Sequence, residues 1–206
     1  MSCWTGRGSG LIEPPPKDLT LQQATEWMIR ALHDEEFNIL LCGRSALDYQ
    51  GEYTGSIDAD ILVGADFKGA SSVLDAYVRR GDLYPAGAVP RSVARYMVRG
   101  EKPVDVIDVS HVSSRLFDIL WKEASEEVDM GSAGMVRAVT REGYFVLAIM
   151  IGLKGFARVK DDPMMKVREA WGLFGRRTDG RRVDELLGKL GAKKRLGEIV
   201  PSLPPL

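Results

Sequence analysis

The sequence predicts an α+β protein, in which a small mixed β-sheet is flanked by helices and followed by a helical C-terminal region. Short apolar runs alternate with amphipathic stretches as far as residue 139, which is typical of strands and helices packed in layers. Beyond Thr140 the apolar residues recur only at helical spacing. We therefore expect a flexible leader over 1–16, an α/β core over 17–139 and a helical region over 140–206.

The individual elements follow from local patterns. Thr20 and Gln23 form a capping box, and apolar residues at helical spacing extend that helix over 20–35. Residues 44–49 are predicted to form one or two helical turns before a polar loop. The other predicted strands are 37–41, 60–63, 93–98, 104–109 and 135–139, and the other predicted helices are 69–80, 113–128, 141–159, 163–173 and 181–199.

The composition is that of an ordinary globular protein, with 45% hydrophobic and 28% charged residues, and this excludes a disordered chain. The only two cysteines, Cys3 and Cys42, cannot form a disulfide framework. The longest apolar run, over 144–153, is too short to cross a bilayer, and residues 1–16 lack the apolar segment of a secretory signal. We expect a cytoplasmic protein without a membrane partner.

Charge is distributed unevenly along the chain. Residues 151–206 carry 13 Lys and Arg against 7 Asp and Glu, whereas residues 1–150 carry 15 against 22. Two interpretations remain open at this point. The basic region is either a solvated helical surface or a wall that faces a polyanion, such as a triphosphate or a nucleic acid.

Asp58 and Asp60 are the first candidates for chemistry. Side chains at positions i and i+2 of a strand point to the same face, so these carboxylates lie side by side and need a neutralising partner. A divalent cation, Mg²⁺ or Mn²⁺, supplies that charge. A D-x-D pair is also typical of a solvated strand end. Its position at the start of an apolar strand, after a glycine turn with Ser45, favours the metal.

A second acidic element lies in the run Val104–Val109, where Asp105 and Asp108 interrupt β-branched residues. Alternation along a strand places these two carboxylates on opposite faces, so one of them can reach a metal site. The alternative is an edge strand with two solvated acids.

Together, Gly43, the pair Asp58 and Asp60, and Asp105 resemble the motifs of the nucleotidyltransferase superfamily. That group includes DNA polymerase beta, antibiotic nucleotidylyltransferases and the toxin-type nucleotidyltransferases of abortive-infection systems. The resemblance favours Asp105 over Asp108 as the third carboxylate, since the family places a hydrophobic pair after it.

The segment from Lys154 to Asp161 resembles the toxin-type branch, in which a lysine is followed by Ala-x-Arg and Lys-Asp. Lys154 and Arg158 share one helix face and can bind triphosphate oxygens. Their alternative role is that of ordinary cations at a solvated helix end. The resemblance covers about 37–162.

The resemblance implies a metal-dependent enzyme that moves a nucleoside monophosphate from an NTP to a hydroxyl of RNA, tRNA or a protein. It implies a homodimer or an antitoxin as partner. The implied metal-binding and catalytic residues are Asp58, Asp60 and Asp105, and the implied nucleotide-binding residues are Gly43, Arg44, Ser45, Lys154 and Arg158.

Two departures from the family pattern support an alternative. Arg44 replaces the second small residue after the first strand, and Thr54 stands where relatives frequently carry an arginine. The alternative is a catalytically inactive nucleotidyltransferase-like protein with a binding or regulatory role, as in a toxin–antitoxin pair.

Overall fold

The computed structural model describes residues 11–52, 54–64, 66–87, 93–100, 107–153 and 165–192. Within these residues the strands are β1 Ile39–Cys42, β2 Ala59–Val63, β3 Leu83–Pro85, β4 Val93–Val98, β5 Ile107–His111, β6 Ser125–Asp129 and β7 Met135–Val139. Its α-helices are α1 Leu21–His33, α2 Gly43–Tyr49, α3 Phe67–Arg80, α4 Ser114–Glu123, α5 Arg141–Leu153, α6 Met165–Phe174 and α7 Gly180–Lys189.

All seven strands form one mixed sheet in the order β3-β4-β5-β2-β1-β7-β6. Strand β1 is antiparallel to β2 and parallel to β7, while β2 is parallel to β5. Helices α6 and α7 both contact α5, which also contacts β7. A mixed sheet with helices packed on it confirms the predicted α+β class.

Strand β1 lies inside the sheet between β2 and β7, and all four of its residues are buried. A strand covered on both faces has a continuous apolar sequence rather than an alternating one, which is why Ile39, Leu40 and Leu41 follow one another. Burying each of these side chains contributes roughly 1.5–3 kcal/mol to folding.

Most predicted helices are confirmed where the structure describes them. Helix α1 begins with the predicted capping box, in which Thr20 accepts a hydrogen bond from the backbone of Gln23 and the Gln23 side chain accepts one from the backbone of Thr20. Thr140 caps α5 through its hydroxyl, which accepts from the backbone N–H of Gly143. None of the described helices is both long and apolar enough to span a membrane.

The predicted helix over 113–128 is wrong in its last five residues. Helix α4 ends at Glu123, and Ser125–Asp129 forms the edge strand β6, which pairs with β7. The helix ends there because the next residues pair with a strand that lies later in the sequence. Strand β3 was not predicted. Helix α7 ends at Lys189, before the predicted end at 199, and residues 193–199 of that prediction lie outside the described residues.

Part of the segment expected as a flexible leader is held against the core. The backbone N–H of Ile12 donates to the hydroxyl of Tyr77 at 3.2 Å, and its carbonyl accepts from Arg80 at 2.7 Å. The indole N–H of Trp27 donates to the carbonyl of Glu13 at 2.9 Å. No strand follows Val139 among the described residues, but the division into three parts stays a prediction.

Candidate active site

Strand register places four polar side chains in one row across the sheet. Cys42 is opposite Asp60, Asp60 is opposite Asp108, and Asp108 is opposite Arg95, on the four neighbouring strands β1, β2, β5 and β4. Directly paired residues point to the same face of a sheet, so these side chains project together. Asp58, two residues before Asp60, lies on that face as well.

The row forms one side of a cavity of about 330 Å³. Asp58, Asp60, Asp108 and Arg95 line the cavity together with the first residues of α2. Helix α5 provides the facing wall through residues at helical spacing, namely Tyr144, Leu147, Ala148 and Ile151. The cavity therefore combines a charged floor with a largely apolar wall, as small-molecule sites commonly do.

Gly43 allows the carboxylate of Asp60 to approach the start of α2. Its φ of +69° lies in the left-handed region, which glycine adopts without steric cost. A Cβ at this position would lie 3.0 Å from Cγ of Asp60 and would overlap its Oδ2. The glycine is therefore required twice, by the backbone conformation and by the neighbouring carboxylate.

Arg95 and Asp108 form a two-pronged ion pair. Nε of Arg95 donates to Oδ1 of Asp108 and one terminal nitrogen donates to Oδ2, both at 2.7 Å. This pairing raises the pKa of Arg95, and the nearby charges of Asp58 and Asp60 raise it further. The arginine is a permanent positive charge within an acidic site.

Arg44 connects the cavity to the C-terminal helices. Its guanidinium lies 3.7 Å from the carboxylate of Glu169 on α6, and both side chains are partly exposed. Tyr144 lies nearby and is almost fully buried, and burial together with the charge of Glu169 raises the pKa of its phenol. Tyr144 therefore stays protonated and keeps a hydrogen to donate at neutral pH.

The surroundings of Cys42 disfavour the reactive form of its thiol. Burial raises the pKa of its thiol well above the ordinary value, and the charges of Asp60 and Asp108 raise it further. Reactivity requires the thiolate, which these surroundings disfavour. The residue serves as a small buried side chain at the end of the row.

A clamp of hydrogen bonds positions the loop that leads to Asp58. The carboxylate of Asp48 on α2 accepts from the backbone N–H groups of Thr54 and Ser56, the latter at 3.1 Å. The Thr54 hydroxyl donates to the carbonyl of Arg44 at 3.3 Å, and the Ser56 hydroxyl donates to Asp58, whose carbonyl oxygen lies at 2.8 Å and whose carboxylate lies at 3.2 Å. We refer to Asp48, Thr54 and Ser56 as the Asp48 clamp.

Of the predicted site residues, the cavity brings together Gly43, Arg44, Asp58 and Asp60. Ser45 does not line it: its side chain is buried, and its hydroxyl donates to the carbonyl of Cys42 at 3.1 Å. The remaining three predicted residues, Asp105, Lys154 and Arg158, lie outside the described residues.

Three further site residues were not assigned from the sequence, namely Arg95, Tyr144 and Asp48. The signal for Arg95 was a charged residue within the apolar run Val93–Val98. Asp108, which the sequence left second to Asp105 as the third carboxylate, lines the cavity beside Asp60. In the part of the chain that the structure describes, no three His, Cys, Asp or Glu side chains are grouped to hold one metal ion.

Known structures share this arrangement of strands and helices. The antibiotic-resistance factor ANT(2'')-Ia, determined in solution, aligns with a TM-score of 0.51 over 87% of this chain and 97% of its own, at 15% identity. The crystal structure of ANT(2'')-Ia in complex with adenylyl-2''-tobramycin also aligns with a TM-score of 0.51, over 82% of this chain and 94% of its own, at 14% identity. The chain has a nucleotidyltransferase fold.

This fold is the one that the sequence motifs led us to expect. No protein-family model and no curated protein sequence matches the chain. The assignment to the toxin-type branch therefore stays a prediction.

Proposed function

We propose that this chain is a metal-dependent nucleotidyltransferase, which transfers a nucleoside monophosphate from an NTP to an acceptor hydroxyl. The observation that carries the proposal is the pair Asp58 and Asp60, which lines the cavity directly beside Gly43 and Arg44. The fold is consistent with this activity, because the ANT(2'')-Ia structures align with this chain over most of its length.

The residues present fit a divalent cation. Asp58 and Asp60 offer carboxylate oxygens, which are the donors that Mg²⁺ and Mn²⁺ prefer, and the cavity leaves room for water and phosphate oxygens. A bound cation would neutralise phosphate charge and align the triphosphate for in-line displacement. The space left by the missing Cβ of Gly43 supports the fit, because it admits the Asp60 carboxylate.

The side chains around the carboxylates have distinct roles in the proposed reaction. Arg44 would exchange its partly exposed partner Glu169 for a phosphate oxygen, and Gly43 would let the triphosphate approach the backbone. The apolar wall of α5 would exclude water. The acceptor oxygen attacks the α-phosphorus, the bond from that phosphorus to the pyrophosphate oxygen breaks, and the hydroxyl proton is released.

Three predicted roles extend this scheme. Asp105 would join Asp58 and Asp60 as a ligand of that cation and help to deprotonate the acceptor, and Lys154 and Arg158 would stabilise the negative charge that develops on pyrophosphate. Ser45 would act through its backbone N–H, since its hydroxyl already donates to Cys42.

The charge pattern and the structural comparison indicate which acceptors to test. The basic C-terminal region favours RNA, tRNA or a protein as acceptor. One structural neighbour is bound to adenylyl-2''-tobramycin, so hydroxyls of small molecules belong in the panel too.

The test is transfer of label from each of the four NTPs, labelled at the α-phosphate, to these acceptors with Mg²⁺ or EDTA. The wild type is expected to label one acceptor only with metal, and Asp58→Asn is expected to lower the rate at least 100-fold. Asp118→Asn, on the exposed surface of α4, is the matched control. Full transfer by Asp58→Asn would refute the assignment.

A second candidate is a nucleotide-binding regulatory protein that transfers nothing. The observation that favours it is the ion pair of Asp108 with Arg95, which engages both oxygens of that carboxylate. Binding of NTP and Mg²⁺ without label on any acceptor would support this candidate.

A further inference from the structure

We propose that the site holds one divalent cation per chain, because the guanidinium of Arg95 occupies Asp108 in place of a second ion. This proposal rests on the metal site of the proposed function and adds the number of cations that the site binds. It also assigns Arg95 as a positioning residue for the carboxylate cluster.

The geometry of the ion pair carries the inference. Arg95 and Asp108 are direct partners on neighbouring antiparallel strands, so the backbone itself brings the two side chains together. Both carboxylate oxygens accept a hydrogen bond of 2.7 Å from different nitrogens of the guanidinium. The side chain of Asp108 is only 13% exposed, and releasing it would leave a desolvated carboxylate without this partner.

The charge balance of the cavity agrees with a single ion. The described carboxylates that line it are Asp58, Asp60 and Asp108, and Arg95 offsets the last of them. Arg44, the other cation of the lining, faces Glu169. One divalent cation would bring two positive charges to Asp58 and Asp60, whereas an additional cation at Asp108 would have to displace a guanidinium that is held by two hydrogen bonds.

The positive charge beside Asp108 does not depend on metal concentration if Arg95 supplies it. A second cation would leave and return with metal concentration, whereas Arg95 is part of the chain and its guanidinium is always charged. Metal dependence of nucleotide binding should then follow a curve for one ion.

The test counts bound Mn²⁺ by electron paramagnetic resonance, in titrations with saturating non-hydrolysable analogues of the four NTPs. The wild type is expected to bind one Mn²⁺ per chain, and Arg95→Gln is expected to bind two. The double variant Arg95→Gln with Asp108→Asn should return to one, since the freed carboxylate is gone. Arg99→Gln, which removes the same charge from an exposed position just after β4, should stay at one.

Each outcome decides the inference. Two Mn²⁺ in the wild type, or one Mn²⁺ in folded Arg95→Gln, would overturn it, while label transfer would still support the proposed function. Absence of Mn²⁺ binding by the wild type would refute the proposed metal site itself. If Arg95→Gln does not fold, Arg95→Lys replaces it, because lysine keeps the positive charge but cannot donate from two nitrogens to Asp108. An ion count above one in the wild type remains the refuting result.

Discussion

At the scale of single residues, the contact between Gly43 and Asp60 connects the backbone of α2 to a carboxylate of β2. Both the positive φ of Gly43 and its missing side chain serve this contact. A similar backbone conformation occurs at Gly51, with φ of +83°, where a Cβ would meet nothing within 4 Å. A side chain at Gly51 would therefore be opposed only by the backbone conformation, whereas a side chain at Gly43 would also collide with Asp60.

We expect Gly43→Ala to lower stability and to abolish nucleotide binding. The left-handed backbone costs a non-glycine residue about 1–2 kcal/mol, and the added Cβ displaces Asp60 from its position. Gly51→Ala should show the backbone cost alone. Urea denaturation measures the first effect, and calorimetric titration with Mg²⁺ and an NTP analogue measures the second. Equal nucleotide affinity in the two variants would show that the Asp60 contact has no role.

The site residues that could be predicted from the sequence are those that belong to one local pattern. A local pattern, a glycine turn followed by a strand, predicts Gly43, Asp58 and Asp60. The partnership of Arg95 with Asp108 depends on the register between two strands, which no local pattern specifies. The interpretation of Asp108 as the less favoured carboxylate came from the hydrophobic pair after Asp105, and sequence spacing does not show which acid reaches the cavity.

At the scale of elements, the Asp48 clamp fixes the path of the chain from α2 to β2. Asp48 accepts two backbone hydrogen bonds from the loop, and Ser56 extends the network to the carboxylate of Asp58. Thr54, which departs from the family pattern, is part of this clamp through its bond to the Arg44 carbonyl. The departure therefore has a structural role in this chain.

Asp48→Ala is expected to weaken Mg²⁺-dependent nucleotide binding about 10-fold while the fold is kept, as is typical when support for a metal ligand is removed. The loop would lose both acceptors and Asp58 would lose its fixed position. Asp118→Ala on α4 is the control, since that carboxylate is exposed. Unchanged affinity in Asp48→Ala would argue that Asp58 is positioned without the clamp.

The junction between α4 and β6 is where sequence pattern and structure differ most. Helical spacing continues past Glu123, but Gly143 of α5 packs against Ala124 there. A Cβ at Gly143 would lie 3.2 Å from Cβ of Ala124 and 3.3 Å from Cβ of Val139, and would overlap the Ala124 carbonyl oxygen. This close approach brings together distant parts of the chain, so a local pattern does not contain it.

Alanine substitutions at two helical glycines should have opposite signs. Gly143→Ala is expected to destabilise by about 1–3 kcal/mol through overpacking, whereas Gly172→Ala on α6, which meets nothing within 4 Å, should stabilise by about 0.5–1 kcal/mol. Urea denaturation of both variants gives the two values. A stabilised Gly143→Ala would contradict the close packing of α5 on this junction.

At the scale of the whole molecule, Glu52 joins three separate parts of the chain. Its carboxylate, in the loop before β2, accepts from Arg141 at the start of α5 and from Arg177 after α6. Arg141 also donates to the carbonyl of Arg177 at 2.6 Å. These cationic partners lower the pKa of Glu52, with the hydrogen bond from Arg141 as the largest cause.

A lowered pKa gives a defined dependence of stability on pH. Glu52 stabilises the fold fully above its unfolded pKa, about 4.3, and this contribution is lost as pH falls through the lower folded pKa. Glu52→Gln is expected to lower the thermal midpoint at pH 7, and the difference from the wild type should shrink below about pH 4. Glu126→Gln, on the exposed side of β6, is the control. A difference that is independent of pH would contradict this role.

The central claim is that Asp58 and Asp60 bind a divalent cation together with a nucleoside triphosphate. Thermal denaturation with Mg²⁺ alone, an NTP analogue alone and both together tests it most directly. With the Mg²⁺–nucleotide complex at about 100 times its dissociation constant, the wild type should gain about 2.7 kcal/mol, and Asp60→Asn should gain none while Asp118→Asn gains the full amount. An equal gain in Asp60→Asn and the wild type would contradict the claim.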